Sequence, residues 1–141
     1  MKFLICSLKK YLFITAALFL FNSIAVAETV VIAGAGSNVL SSLSASEIKA
    51  LYLGKSRDLS VFDQNSGTSV RKDFLDKVVG KSESQFKAYW SKRIFTGKGT
   101  PPKQLDSDAA MKTMVANTPG SIGIIDSGSV DASVKVIYKV K

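Results

Sequence analysis

The spacing of apolar residues along this chain changes repeatedly between a continuous run, period 3.6 and period 2. Thr29-Val30-Val31-Ile32-Ala33 is unbroken and β-branched, which predicts a buried strand at the start of an α/β sheet. After Gly34-Ala35-Gly36-Ser37-Asn38 breaks that run, Ser44-x-x-Glu47 forms a capping pattern, Ile48, Leu51 and Tyr52 recur at helical spacing, and Gly54 supplies a stop. A helix from Ala45 to Leu53 is expected. Leu59 to Phe62 reads as a second strand, followed by an apolar helical face of Val70, Phe74, Leu75, Val78 and Val79 that ends at Gly80. Ser82-x-x-Gln85 opens another helix, in which Phe86, Tyr89, Trp90 and Ile94 or Phe95 point one way. That spacing favours core packing over a stacking platform for sugars or bases.

Thr96-Gly97-Lys98-Gly99-Thr100-Pro101-Pro102 is a surface loop by composition, and it lacks the spacer and the Gly-Lys-Ser/Thr ending of a nucleotide-binding P-loop. Asp106 to Asn117 reads as a helix that buries Ala110, Met111, Met114 and Val115. Pro119-Gly120 is a turn into a strand, Ser121 to Ile125, where Gly123 allows close backbone approach. Val134 to Val140 alternates apolar and basic residues, as in a half-exposed edge strand guarded by lysines. The elements together predict an α/β fold, a mixed sheet flanked by helices.

Residues 1–27 have the order of a secretory signal: basic Lys2, Lys9 and Lys10, an apolar run from Tyr11 to Phe21, and Ala25-Val26-Ala27. The run is short for a membrane span, so cleavage before Glu28, export to the periplasm and a single domain over residues 28–141 are expected. The formal charge is +8, and removal of the three leader lysines leaves +5, which favours acidic partners without choosing among them. The lysines are scattered rather than striped, so a nucleic-acid partner is not expected.

The one cysteine, Cys6, lies in the leader, and the chain has no histidine. The commonest general base, the usual zinc ligands and a thiol nucleophile are therefore missing from the mature chain. No enzyme activity, metal or cofactor is expected. The most informative segment is Gln64-Asn65-Ser66-Gly67-Thr68-Ser69-Val70-Arg71, where small hydroxyl residues and a glycine open a helix directly after a strand. Unpaired N–H groups at such a start, with an arginine one turn in, make a candidate oxyanion cradle, although Ser and Thr there are also ordinary caps.

Several segments together resemble the phosphate ABC-transporter substrate-binding protein family, within the type 2 periplasmic-binding-protein superfamily. They are Leu43-Ser44-Ala45-Ser46-Glu47-Ile48 with Leu53-Gly54-Lys55, the Ser66-Gly67-Thr68 turn, Tyr89-Trp90 with Phe95-Thr96-Gly97-Lys98-Gly99, and Pro119-Gly120-Ser121-Ile122-Gly123. The resemblance implies a single lobe of that fold. In the family's Gly-Ser-Gly-Thr turn, hydroxyls and N–H groups grip phosphate and an arginine lies three residues upstream. Here Asn65 replaces the first glycine and Phe62 stands at the arginine position, leaving Arg71 as the substitute charge.

The resulting expectation is a non-catalytic periplasmic solute-binding protein for a small oxyanion, phosphate first, associated with ABC-type uptake or sensing. Its anion-binding residues are Ser66, Gly67, Thr68, Ser69 and Arg71, with Ser37 from the weakly similar Gly34-Ala35-Gly36-Ser37 turn and Asp63 as the acceptor for a protonated phosphate oxygen. An ABC permease or another membrane protein is the expected partner, and pairing of two copies to rebuild a cleft stays open. The alternative is an adaptor lobe that has lost ligand binding.

Overall fold

The computed structural model describes residues 27–39 and 41–141, so the predicted leader lies outside the described residues apart from Ala27. Strands β1 (Thr29–Gly34), β2 (Ser60–Gln64), β3 (Lys103–Leu105), β4 (Ser121–Asp126) and β5 (Val134–Lys139) form one sheet in the order β3-β2-β4-β1-β5. β2 runs parallel to both β3 and β4, whereas β1 is antiparallel to β4 and β5. The sheet is mixed, as expected. β5 is an edge strand, with its lysines at half-buried and exposed positions.

Helices α1 (Ala45–Tyr52), α2 (Ser69–Phe74), α3 (Glu83–Phe95) and α4 (Asp108–Asn117) cover both faces. Val31 and Ala33 of β1, with Ile122 and Ile124 of β4, pack against Ile48, Tyr52, Phe74 and Trp90 from α1, α2 and α3. The alternate residues Val30, Ile32 and Ile125 pack against Met111 and Val115 of α4. Burial on two faces is why β1 is apolar without alternation.

Both capping boxes are present. Ser44 Oγ accepts from the Glu47 amide while Glu47 accepts from the Ser44 amide, and Ser82 and Gln85 repeat the exchange at α3. Three expectations need correction. The helix running to Gly80 is α-helical only to Phe74 and continues as a π-helical turn, Leu75–Val79, closed by the Gly80 amide donating to Leu75 O at 2.7 Å. The aromatic face of α3 is buried only at Phe86 and Trp90. Ile94 or Phe95 is expected inside, yet they are 51% and 92% exposed, and Ile94 borders an open cavity rather than the core. Ala110 and Met114 of α4 are only partly covered.

Gly54 ends the chain turn after α1 with φ +68°, and a Cβ there would lie 2.7 Å from Cη2 of Trp90. Gly54→Ala therefore combines left-handed strain with overpacking against a buried indole, and a loss of about 2 kcal/mol is expected in urea denaturation. An unchanged midpoint would contradict that packing.

Candidate functional site

The C-terminal ends of the parallel strands β2, β3 and β4 lie together, and the segment that follows β2 begins there. Tyr52 fixes this end from below by donating its hydroxyl to Phe62 O at 2.7 Å. Gln64, buried, donates its side-chain amide to Ile124 O at 3.0 Å and to Asp108 at the start of α4. Asp108 also accepts from the Asp126 amide and the Ser129 hydroxyl. The turn Asn65-Ser66-Gly67 then leads into α2, with Gly67 at φ +91° and Thr68 as the N-cap. Thr68 Oγ1 accepts from the Arg71 amide at 3.3 Å and donates to Asn65 O at 3.2 Å.

Arg71 is buried, at 3% exposure. Its Nη1 donates to Gln64 O at 2.9 Å and pairs with Asp63 Oδ2 at 3.0 Å, and its Nε lies 2.9 Å from Glu83 Oε1. The Nε contact is poorly aligned, so neither atom gains a proper hydrogen bond and the attraction is mainly Coulombic. The guanidinium also sits 5.3 Å from the centre of the Phe86 ring. Among the described residues Nη2 has no protein partner.

Asp63 is 1% exposed and accepts the Gln64 amide at 2.8 Å on its other oxygen. Burial pushes its pKa up to about 6; Arg71 and the Gln64 amide oppose that rise, and Glu83 adds to it. With both oxygens engaged, Asp63 orients the arginine. Because its folded pKa is raised, the folded chain binds more protons than the unfolded chain between pH 4 and 6, and stability falls as pH rises through that window. The shift from 3.8 to about 6 corresponds to a loss of about 3 kcal/mol from this group. Thermal melts from pH 4 to 7 are expected to show that fall, and Asp63→Asn to flatten it. A profile of the same slope in the variant would contradict the assignment.

A cavity of about 530 Å³ opens beside this cluster, lined by Asp63, Ser66 and Arg71 together with Lys87 and Ser91 of α3 and Gln104 of β3. Of the predicted residues, the structure thus brings Asp63, Ser66 and Arg71 together. Gly67, Thr68 and Ser69 adjoin them in the turn without lining the cavity. Ser37 lies elsewhere: it follows β1, which runs opposite to β2, and so sits at the other end of the sheet. There its hydroxyl accepts the Val39 amide and its carbonyl accepts Lys135 Nζ. Sequence reading missed Lys87, Ser91 and Gln104, although Lys87 and Ser91 share a helix face by their i, i+4 spacing. Among the described residues no three His, Cys, Asp or Glu side chains converge to hold a metal ion, and no helix is long and apolar enough to cross a membrane.

No family model and no curated protein matches the chain. Solved structures do. One, assigned to phosphate ABC transport as a substrate-binding protein from Clostridium perfringens and holding phosphate, aligns at TM-score 0.63 and 19% identity. It covers 79% of this chain and 44% of its own. An ABC-type phosphate transport receptor from Vibrio cholerae gives 0.61 at 20% identity over 79% and 45%. PstS from Borrelia burgdorferi gives 0.58 at 11% over 79% and 46%. The chain spans less than half the length of these proteins. Its five-stranded mixed sheet and flanking helices have the periplasmic-binding-protein-like fold that these structures share.

Proposed function

We propose that this chain is a periplasmic solute-binding protein for a small oxyanion, phosphate first, serving ABC-type uptake or sensing without catalysis, within a domain of residues 28–141 preceded by a cleaved leader. The observation that carries the reading is the cavity that Arg71, Ser66 and Lys87 line at the C-terminal ends of parallel strands, a position where α/β sheets commonly place ligands. The free Nη2 of Arg71, the exposed Ser66 hydroxyl and the Lys87 ammonium are its donors, with the Gly67, Thr68 and Ser69 amides at the helix start adding partial positive charge. The likeness to proteins described as phosphate receptors supports the choice of phosphate. An ABC permease is the corresponding partner.

A specific observation favours a second reading, an adaptor lobe without ligand: Arg71 already faces two carboxylates. Glu83→Gln separates the two. If an oxyanion must compete with Glu83 for the guanidinium, removing that charge strengthens phosphate binding several-fold in calorimetric titration. Failure of both wild type and variant to bind phosphate would favour the adaptor. Ser66→Ala, which removes a hydroxyl with no protein partner among the described residues, is expected to weaken phosphate binding about tenfold with little change in stability, the loss of one hydrogen bond to a charged ligand.

A further inference from the structure

A second cavity, also of about 530 Å³, lies on the far side of Trp90 and the Pro101–Pro102 pair, which line both openings. Its rim is built from the turn after α1 and the loop between α3 and β3. Arg57, Lys98 and Lys103 line it, with the hydroxyls of Ser56, Ser60 and Thr100 and an apolar floor that includes Leu59. No carboxylate lines it. The nearest acid in sequence, Asp58, accepts the Ser56 hydroxyl and lines a different cavity.

The cations here are arranged against their own repulsion. Arg57 Nη2 and Arg93 Nη2 both donate to the single carbonyl of Lys98, at 3.3 and 3.1 Å, so two guanidinium groups converge on one oxygen. Among the described residues none of Arg57, Arg93, Lys98 and Lys103 is in a salt bridge. Arg93 is locked in place, stacked 5.5 Å over Trp90 and 5.6 Å over Tyr89 and donating also to Gly54 O. Its Nε, and the Nε1 of Trp90, are buried without a partner. Gly99, at φ +135°, keeps the loop close: a Cβ there would come 3.3 Å from Arg57 Nη2. Like charges held together with no counter-ion lower their mutual energy when an anion is bound between them.

We propose that this cleft is a second anion site, distinct from the cavity beside Arg71, and that it takes a soluble chain of phosphate groups. Each exposed cation contributes little to binding one small ion in water, so occupancy requires a ligand that engages several of them at once. Three cations from three separate segments, Arg57 after α1, Lys98 in the loop after α3 and Lys103 of β3, line this one cleft, which suits a ligand carrying several phosphate groups better than a single oxyanion.

The test is calorimetric titration of the protein with tripolyphosphate, on wild type and on the double variant Arg57→Ala, Lys98→Ala. Both side chains are exposed, and the Lys98 carbonyl that anchors Arg93 survives the change. Saturable binding that weakens at least tenfold in the double variant, while Ser66→Ala leaves it unchanged, is the expected result. Equal binding by wild type and double variant would overturn the proposal. So would the absence of saturation, or binding to phosphatidylglycerol vesicles that tripolyphosphate does not displace, which would assign the cations to a membrane surface.

Discussion

Arg71→Ala is expected to abolish the proposed phosphate binding and to lower stability at pH 7 by about 3–5 kcal/mol, the range for breaking a buried ion pair from one side. The size follows from what remains. Asp63 stays 1% exposed with its counter-ion gone, the Gln64 carbonyl loses its donor, and Phe86 loses the cation over its ring. Glu83, partly exposed, can turn to water, so the cost falls mainly on Asp63. That division predicts a pH dependence. Protonated Asp63 carries no charge to strand, so the penalty measured by urea denaturation shrinks at pH 5. A penalty of the same size at both pH values would show that packing, rather than the buried carboxylate, sets the cost. Arg71→Lys retains charge without the guanidinium fork, and is expected to recover part of the stability while binding phosphate at least tenfold more weakly.

The second large effect is expected far from any ligand. Phe74→Ala removes a fully buried ring that packs 4.6 Å, centre to centre, from the equally buried Tyr52. The expected loss is about 3–5 kcal/mol, as for other buried aromatic deletions. Phe74 ends α2 at the point where the chain enters its π-helical turn, and Tyr52 holds the end of β2 through Phe62 O. The deletion is therefore expected to loosen the end of β2 that carries the candidate site, so that the proposed phosphate affinity falls along with stability. A variant that melts early but binds as tightly as wild type below its transition would uncouple this core from the site.

The sequence made much of this fold legible for identifiable reasons. The β-branched run of β1, the Ser44–Glu47 and Ser82–Gln85 boxes and the glycine stops at Gly54 and Gly80 are local signals; the boxes and stops rest on local hydrogen bonds, whereas β1 is marked by its own apolar run although its partners β4 and β5 are distant in sequence. β3 was not visible: three residues, Lys103–Leu105, with no apolar alternation, become a strand only because β2 offers a parallel edge. The same limit applied to the site. Ser66 and Arg71 were legible from their place after a strand, but nothing local marks Arg71 as buried, since its partners are Asp63 in the preceding strand and Glu83 in the following helix. Ser37 enters the expected site only through the weak resemblance of Gly34-Ala35-Gly36-Ser37 to a family turn, and strand direction cannot be read from a turn. The antiparallel course of β1 sends it to the opposite end of the sheet. Ile94 continues the helical apolar period of α3, and nothing in that period shows that it borders an open cavity rather than the core.

The measurement that tests the central claim most directly is isothermal titration of the purified protein with phosphate at low ionic strength, paired with thermal melts over the same concentrations. One saturable site is predicted, with a melting temperature that rises with phosphate because the ligand binds only the folded state. Binding should weaken in Ser66→Ala and vanish in Arg71→Ala. No heat and no stabilisation at millimolar phosphate would contradict an oxyanion receptor, and would leave this fold with an adaptor's role.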